Sequence, residues 1–511
     1  MMSDTTHSLE YIFHPRSVAV CGAFNHPFRW WLKEYYIDPL VQGGYEGSLY
    51  LVDPRGGEIA GLPIYVSLRD IPGPVDHAIC CISGSKVPSL MEECGDIGVK
   101  VVQIFTAGFA ETGEPEGIAL QERLVEIARA SGMRIIGPNC MGLYYPQGGL
   151  SFCANFPTEP GPIGLLCQSG GNTTYIVRLA VDRGLRFNKV VSYGNACDVN
   201  ECDLLEYMAA DPETRVIAAY IEGTRDGARF LRALTSAASA KPVVVFKGGY
   251  TEGGGRATAS HTGALAGSDA AWDGLLKQAG AIRVYSVEEM VDMLTALLRM
   301  KPPLGPNVCG VGNGGGSSVL ATDECEKAGL QMIPIPAETR ERLKAFIPLA
   351  GSMLRNSIDG GFLIVIHNNG TFNGQPVLSW EEAVKAVKVK PGDRAWGDFL
   401  DIIEGWQELD LVLFHYSVDI NPITITEWRT GTAVGLMVSG VKACRLPKAI
   451  VVQMLANEGS VRAVQGALRL CKEAGLPVFL SVRGAAWAIR RLIDYNREHP
   501  GMVAKLQNLE A

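Results

Sequence analysis

Short runs of consecutive apolar residues alternate with amphipathic stretches along most of the chain. Runs such as SVAVCG (17–22) and DHAICCIS (76–83) predict strands that are buried on both faces of a sheet. Between them, stretches such as ALQERLVEIARASG (119–132) place leucine, valine, isoleucine and alanine at helical spacing and end in glycine. The repeated strand–helix–strand order predicts an α/β fold built on doubly wound parallel sheets.

The strand–helix units fall into three series along the chain. A second series begins near Gly161, and a third follows the proline-rich stretch KPPLGP at 301–306, which has the composition of a linker. We therefore expect three domains, at 9–150, 151–303 and 304–511. A polar stretch near 367–396 interrupts the third series, and we interpret it as an insertion that holds a helix.

Composition excludes several classes of protein. The chain has 511 residues, of which 47% are hydrophobic and 20% charged, so wholesale disorder is excluded. The 46 basic and 54 acidic residues give a net charge of −8, which does not favour nucleic acid or an anionic membrane as a partner. No apolar run is long enough for a membrane span and no signal peptide is recognisable, so we expect a cytoplasmic protein.

The 13 cysteines lie mostly inside apolar runs, and none forms a C-x-x-C pair. This distribution predicts buried free thiols in a reducing compartment and no zinc site. The histidines form no metal-binding pattern either, so we predict no metal ligands on this chain.

Four short turns follow predicted strands, at the edge where parallel sheets bind ligands. They are Gly22, GPNCMG (137–142), CQSGG (167–171) and YIEG (220–223). Each can equally be an ordinary strand-to-helix turn, and Gly22 lacks the rest of a G-x-G-x-x-G fingerprint. In CQSGG, backbone N–H groups at a helix start and the Ser169 hydroxyl would form an anion site. Glu222 in YIEG is either a solvated charge or a carboxylate that orients a histidine.

The glycine-rich segment 248–267 contains one histidine, His261, among small polar residues. Its composition predicts a mobile loop that presents a nucleophilic imidazole to a phosphoryl group. The alternative is a surface loop with an incidental histidine.

Together these turns resemble the NDP-forming acyl-CoA synthetase superfamily, the relatives of the succinyl-CoA synthetase α subunit. SHTGALAG (260–267) matches the loop that carries the family's phosphohistidine, which implies His261. YIEG matches the glutamate that holds it, which implies Glu222, and CQSGG resembles the phosphate-binding turn with Cys167 in place of a serine. The phosphate-binding residues that the resemblance implies are Ser169, Gly170, Gly171, Ser260, Thr262 and Gly263.

The resemblance also implies sites for CoA and for the acid. SYGNACDV (192–199) resembles the GN-x-x-D element, which implies Asn195 and Asp198 as substrate residues, and GPNCMG matches the turn near the CoA thiol. LRNSIDG keeps Asn356 and Asp359 of an N-P-x-D pattern, with Ser357 in place of the proline. The implied CoA-binding residues are Gly22, Ala23, Pro54, Arg55, Ser83, Asn139 and Cys140.

The implied fold is a Rossmann-like CoA-binding domain followed by two flavodoxin-like parallel-sheet domains. The first loop departs from the family pattern, since Phe24 replaces a serine and bulky residues fill 28–31. Such side chains hinder close backbone approach to a pyrophosphate, so we expect CoA to bind differently or less tightly.

The implied reaction is acid + CoA + ATP ⇌ acyl-CoA + ADP + phosphate, through an acyl phosphate and a phosphohistidine. No nucleotide-binding domain is evident, so the resemblance implies a separate ATP-grasp β-type subunit that binds ATP with Mg²⁺. The other implied partners are CoA and a small carboxylic acid, in a homo- or hetero-oligomer. Two alternatives stay open: a non-catalytic subunit that binds CoA or acyl-CoA, and a regulatory subunit of the same fold.

Overall fold

A computed structural model describes residues 4–22, 32–262, 268–312, 314–344, 354–359, 371–372, 375–376, 394–417, 438, 441–442, 444–453 and 458–508. The chain forms two compact units. The first comprises 1–181 and 185–290, and the second comprises 182–184 and 291–511.

The first sheet of the first unit contains the strands β1 Ser17–Gly22, β2 Ser48–Val52, β3 Gly57–Ile59, β4 Leu62–Tyr65, β5 His77–Cys81, β6 Val101–Ile104 and β7 Arg134–Ile136. Their order is β3-β4-β2-β1-β5-β6-β7, and β3 runs antiparallel to β4 whereas the other pairs are parallel. The helices are α1 Asp4–Phe13, α2 Asp38–Gln42, α3 Val87–Asp96 and α4 Pro115–Ser131. The doubly wound sheet predicted from the apolar runs is confirmed.

Helix α4 shows how the sequence specifies these elements. Pro115 occupies its first turn, where a missing N–H does no harm. Leu124, Ile127 and Ala128 form its buried face. Gly132 ends it with a φ of 71°, a left-handed conformation that glycine adopts without strain.

The second sheet of this unit contains β8 Gly142–Tyr144, β9 Ile163–Cys167, β10 Phe187–Ser192, β11 Val216–Ile221, β12 Val243–Lys247 and β13 Ile282–Val284. Their order is β13-β12-β11-β9-β10-β8, with β8 antiparallel to β10. The helices are α5 Gly170–Asp182, α6 Glu201–Ala210, α7 Gly227–Ala240, α8 Glu252–Thr262, α9 Asp269–Ala279 and α10 Val287–Arg299, which ends in the second unit. Strand β8, at the end of GPNCMG, therefore pairs with the second sheet.

The prediction of a loop across 248–267 was wrong for residues 252–262, which form α8. Two contacts offset the low helix propensity of its glycines. The Thr251 hydroxyl accepts a hydrogen bond from the backbone N–H of Gly254 at 3.1 Å, and Arg256 forms an ion pair with Glu252 one turn earlier at 2.8 Å. Residues 263–267 lie outside the described residues.

The second unit contains the third sheet, made of β14 Val308–Gly312, β15 Ile358–Asp359, β18 Leu411–Ser417, β19 Lys448–Gln453 and β20 Val478–Phe479. All pairs are parallel, in the order β15-β14-β18-β19-β20. Its helices are α11 Gly315–Lys327, α12 Ala337–Leu343, α13 Arg394–Glu404, α14 Glu458–Glu473, α15 Val482–Glu498 and α16 Met502–Asn508.

Within the expected insertion, the described residues form a small antiparallel pair, β16 Thr371–Phe372 with β17 Gln375–Pro376. Most of the insertion near 367–396, in which we expected a helix, lies outside the described residues, so that expectation stays a prediction. Across the ranges given above, no helix has both the length and the apolar character needed to cross a bilayer.

Short helices connect several elements of the first unit. They are the π-helix Lys33–Ile37 and the 3-10 turns Leu68–Asp70, Gly84–Lys86, Ala110–Thr112 and Pro146–Gly148. All 13 cysteines are free thiols and 11 of them are buried, as predicted from their position in apolar runs.

Candidate active site

The carboxyl edge of the second sheet gathers the residues expected to handle phosphate. Strands β9, β11 and β12 are neighbours there. β9 leads into the Ser169 turn, β11 ends one residue before Glu222, and β12 leads into the segment that carries His261. Parallel strands thus bring three stretches distant in sequence to one edge.

Glu222 is buried, and its backbone is fixed by a residue that we did not single out from the sequence. The Gln168 side-chain oxygen accepts hydrogen bonds from the backbone N–H groups of Glu222 and, at 3.1 Å, of Gly223. The Gln168 backbone N–H in turn donates to the Tyr220 carbonyl oxygen at 3.1 Å. Gln168 therefore joins the ends of β9 and β11 and fixes the position of the Glu222 backbone.

The Tyr220 hydroxyl faces the same carboxylate. Burial, together with the negative charge of Glu222, raises the pKa of Tyr220 well above its usual value. The phenol therefore stays protonated and can donate a hydrogen bond to Glu222.

The Ser169 turn leads directly into α5. The Ser169 hydroxyl accepts a hydrogen bond from the Asn172 backbone N–H at 3.3 Å, and the Thr173 hydroxyl donates to the Ser169 carbonyl at 2.7 Å. A Cβ atom at Gly170 would lie 2.6 Å from the Met141 Cγ, so any larger residue there would require Met141 to move. The turn is thus a tightly packed helix N-terminus, the arrangement that binds anions through backbone N–H groups.

Ser260, His261 and Thr262 form the last residues of α8. The structure describes their backbone but not their side chains, and Gly263 lies outside the described residues. Helix α8 contacts the 3-10 turn Ala110–Thr112. The expected phosphohistidine therefore belongs to a helix that starts at the edge where Glu222 lies.

Asn195 and Asp198 connect the two sheets of the first unit. The buried Asn195 amide donates to Gln121 at 2.9 Å and to Glu111. Asp198 accepts from Arg134 at 2.9 Å and from the Ile135 backbone N–H at 2.8 Å. Both predicted substrate residues are thus held in fixed positions by residues of the first sheet and its connections.

Glu111 shows how strong these contacts are. Although burial raises its pKa, hydrogen bonds from Asn195 and from the backbone N–H groups of Gly108 and Phe109 lower the pKa below its usual value overall. The ionised Glu111 carboxylate therefore accepts a hydrogen bond from the Asn195 side-chain NH2 group. This bond fixes the Asn195 side chain with its amide oxygen turned away from Glu111.

A cavity of about 330 Å³ lies between α4 and this edge of the second sheet. Polar and charged residues line most of it, among them Gln168, Asn195, Asp198, Glu201, Arg225 and Arg229. The Arg229 guanidinium forms ion pairs with Asp203 at 2.8 Å and Glu206 at 3.2 Å. In the part of the chain that the structure describes, Arg225 has no such carboxylate partner and bonds only the Asn195 carbonyl, at 3.2 Å.

The predicted CoA-binding residues lie at the carboxyl edge of the first sheet, apart from Ala23, which is outside the described residues. Gly22 and Cys81 are register partners at the ends of β1 and β5, next to Ser83. Pro54 and Arg55 follow β2, and the Arg55 guanidinium is held by Asp53 at 3.2 Å. Residues 23–31, where the first loop departs from the family pattern, are likewise not described.

The GPNC turn follows β7 and packs on the Asn195 turn. Asn139 has a left-handed φ of 59°, and the Asn195 backbone N–H donates to the Pro138 carbonyl at 3.0 Å. The Cys140 thiol is buried against the carbonyls of Ile104 and Ile136, and burial raises its pKa far above its usual value. Its role in this turn is therefore packing, not a reactive thiolate.

The N-S-x-D segment of the second unit holds the start of the third sheet. Asn356 accepts from the Gly310 backbone N–H at 2.9 Å, and Asp359 accepts from that of Gly314 at 2.9 Å. Ser357, which replaces the family's proline, forms a hydrogen bond with the buried His415 ring at 3.0 Å. Ser357 thus supplies a partner for a histidine that a proline could not satisfy.

No group of three or more possible metal ligands occurs among the residues for which coordinates are described.

Comparison with known proteins identifies the family. A CoA-binding-domain model matches residues 16–146, and a model of the succinyl-CoA-ligase-like flavodoxin domain matches residues 160–297. The α subunit of ADP-forming acetate–CoA ligase I from Pyrococcus furiosus is 41% identical over 362 residues, covering 69% of this chain and 76% of that one. The chain belongs to the ADP-forming acyl-CoA synthetase family.

Within this family the chain corresponds to the α-type subunit, and residues 16–146, which contain the first sheet, form the family's CoA-binding domain. The 4-hydroxybutyrate–CoA ligase of Nitrosopumilus maritimus is 35% identical, and the match covers 68% of this chain but only 50% of that protein. The dinucleotide-forming acetyl-coenzyme A synthetase 1 from Ca. Korarchaeum cryptofilum, solved in complex with phosphate and ADP, is similar over 97% of this chain and 98% of that one, with a TM-score of 0.74 and 27% identity.

Proposed function

We propose that this chain is the α-type subunit of an ADP-forming acyl-CoA synthetase that works through a phosphohistidine at His261. The observation that carries the proposal is the carboxyl edge of the second sheet. There the buried Glu222, the Ser169 helix start and the start of the His261 segment lie on adjacent strands. We further propose that 9–150, 151–303 and 304–511 act as separate functional segments.

The residues suit each chemical step. The imidazole of His261 attacks the γ-phosphorus of ATP, the bond to the β-phosphate oxygen breaks, and ADP leaves. Glu222 accepts a hydrogen bond from the other ring nitrogen and fixes the tautomer that attacks. The acid's carboxylate then takes the phosphoryl group, giving an acyl phosphate and free histidine. The CoA thiol, after losing its proton, displaces phosphate to give acyl-CoA.

We assign phosphate binding to Ser169, Gly170, Gly171, Ser260, Thr262 and Gly263. The N–H groups at the start of α5 offset the charge of the phosphoryl oxygens. We propose that Mg²⁺ and ATP are held on an ATP-grasp β-type subunit. The naming of the Pyrococcus relative as a subunit supports the existence of such a partner.

We propose the 330 Å³ cavity as the site of the acid. Arg225 offers a guanidinium that can receive a carboxylate, and Asn195 and Asp198 form part of the wall. The cavity has more room than a two-carbon acid fills, so we expect acids larger than acetate to react as well. CoA would bind at the carboxyl edge of the first sheet, with its thiol near the Asn139 turn.

The test is formation of ADP by the chain together with its co-purifying partner. We expect ADP release over many turnovers only when both CoA and an acid from a panel of increasing size are present, and no ADP release by His261→Ala. The non-catalytic alternative predicts that CoA binds but no acid gives ADP. If acetate were the only acid of the panel that reacts, the assignment of the cavity as the acid site would be contradicted.

A further inference from the structure

A buried lysine lies beside the proposed phosphoryl-transfer site, and neither the sequence motifs nor the mechanism above uses it. Lys247 is the last residue of β12 and is 2% exposed. In the register between β11 and β12 it lies opposite Ile221, the residue before Glu222. Its side chain is thus at the same sheet edge as that carboxylate.

The surroundings of Lys247 leave its charge uncompensated at close range. The ammonium group donates to the Gly248 carbonyl and lies 5.1 Å from the centre of the buried Trp272 ring. Among the described side chains, none of the carboxylates comes within ion-pair distance of it. A buried lysine in this situation is costly to stability, so its presence calls for a functional reason.

Three charged groups face the lysine from the neighbouring elements. Glu222 at the end of β11 and Asp269 at the start of α9 favour the charged amine, whereas Arg283 on β13 disfavours it. Burial outweighs them and lowers the pKa of Lys247 to about 8. Arg283 forms ion pairs with Asp269 and, at 3.1 Å, with Asp273, so two of the three groups that face Lys247 already pair with each other.

We propose that Lys247 is a positioning residue of the phosphoryl-transfer site. Its ammonium group offsets the charges of Glu222 and of a phosphoryl group on His261, and its bond to Gly248 holds the start of the segment leading to α8. This inference rests on the function proposed above. A phosphoryl group brings close to two negative charges, so a nearby buried cation favours the phosphorylated state over the free one.

The experiment measures the fraction of phosphorylated His261 against pH in the complex of this chain with its partner, supplied with Mg-ATP. In the wild type we expect that fraction to fall as pH rises through about 8, because the amine then loses its proton. Lys247→Met should lower the fraction at pH 7 at least tenfold and remove this step. Lys247→Arg, which stays charged, should keep phosphorylation and lose the fall above pH 8.

Lys241 provides a matched control at the other end of β12. Burial lowers its pKa to about 8 as well, but its amine donates to the carbonyls of Met208, at 2.7 Å, and Asp211, away from Glu222. Lys241→Met should change thermal stability and leave the pH profile of phosphorylation unchanged.

The outcomes separate this inference from the proposed function. A wild-type complex without phosphate refutes the proposed function and this inference with it. Phosphate on the wild type, with the same level and pH profile in Lys247→Met, refutes only the role of Lys247. If Lys247→Met does not fold, the arginine variant decides, because an unaltered fall above pH 8 in Lys247→Arg would overturn the proposal.

Discussion

Replacing Gln168 by methionine tests whether the end of β11 is held as the structure shows. The change removes the oxygen that accepts from the backbone N–H groups of Glu222 and Gly223, both of which are buried. A buried donor left without an acceptor costs about 1–3 kcal/mol, so the loss of both bonds should lower the free energy of unfolding by about 2–5 kcal/mol.

The assay is urea-induced unfolding of the chain, followed by fluorescence and circular dichroism. Gln121→Met is the matched control, because the Gln121 oxygen accepts one bond, from Asn195 at 2.9 Å, and its loss should cost about 1–3 kcal/mol.

Gln168→Met should also impair phosphorylation of His261 under conditions where the chain remains folded. A carboxylate displaced by about 1 Å can cost on the order of a hundredfold in rate. The reasoning would be refuted if Gln168→Met were no less stable than Gln121→Met, or if it were phosphorylated at the wild-type rate.

Three further predictions concern pH, the third sheet and the cavity. Burial lowers the pKa of His77 to about 4, so the unfolded chain takes up this proton first and the free energy of unfolding should fall by up to about 3 kcal/mol as pH drops from 6.5 towards 4. His77→Leu should weaken this pH dependence in urea unfolding, and an unchanged pH dependence would contradict the prediction. Ser357→Ala should destabilise the second unit by about 1–3 kcal/mol, because it removes the hydrogen-bond partner of the His415 ring. The double variant Ser357→Ala with His415→Leu should lose less stability than the sum of the losses in the two single variants, whereas additive losses would argue against the pairing. Arg225→Met should raise the KM for the acid at least tenfold in the ADP-release assay, while Arg229→Met, whose guanidinium is already paired, should change it much less; equal effects would argue against the cavity as the acid site.

The sheets could be predicted from the sequence because their signal is local. A strand covered on both faces is apolar throughout, so SVAVCG corresponds to β1 and the runs before Gln168 and Glu222 correspond to β9 and β11. Strand β8 was not predicted, since three residues after a turn carry no period, and only pairing with β10 makes them a strand. Helix α8 was missed because its glycines have low helix propensity, which the local contacts of Thr251 and Glu252 offset.

The site was predicted only in part, because much of it depends on register and on contacts between distant residues. His261 and Glu222 came from motifs that resemble a family, but the neighbourhood of Lys247 and Glu222 follows from the pairing of β11 with β12. Gln168 lies inside a motif that we read for its serine and glycines. Its fixing of the β11 end cannot be seen without knowing that β9 and β11 are neighbours.

The central claim is that His261 carries a phosphoryl group, and mass spectrometry of the native complex tests it most directly. The chain should be purified from its own host with whatever co-purifies, incubated with Mg-ATP, and analysed beside His261→Ala and Glu222→Gln. We predict an acid-labile, base-stable phosphate on His261 that disappears when acid and CoA are added, is absent from His261→Ala and is strongly reduced in Glu222→Gln. An active complex with no phosphate on His261, or with the same labelling in His261→Ala, would contradict the mechanism.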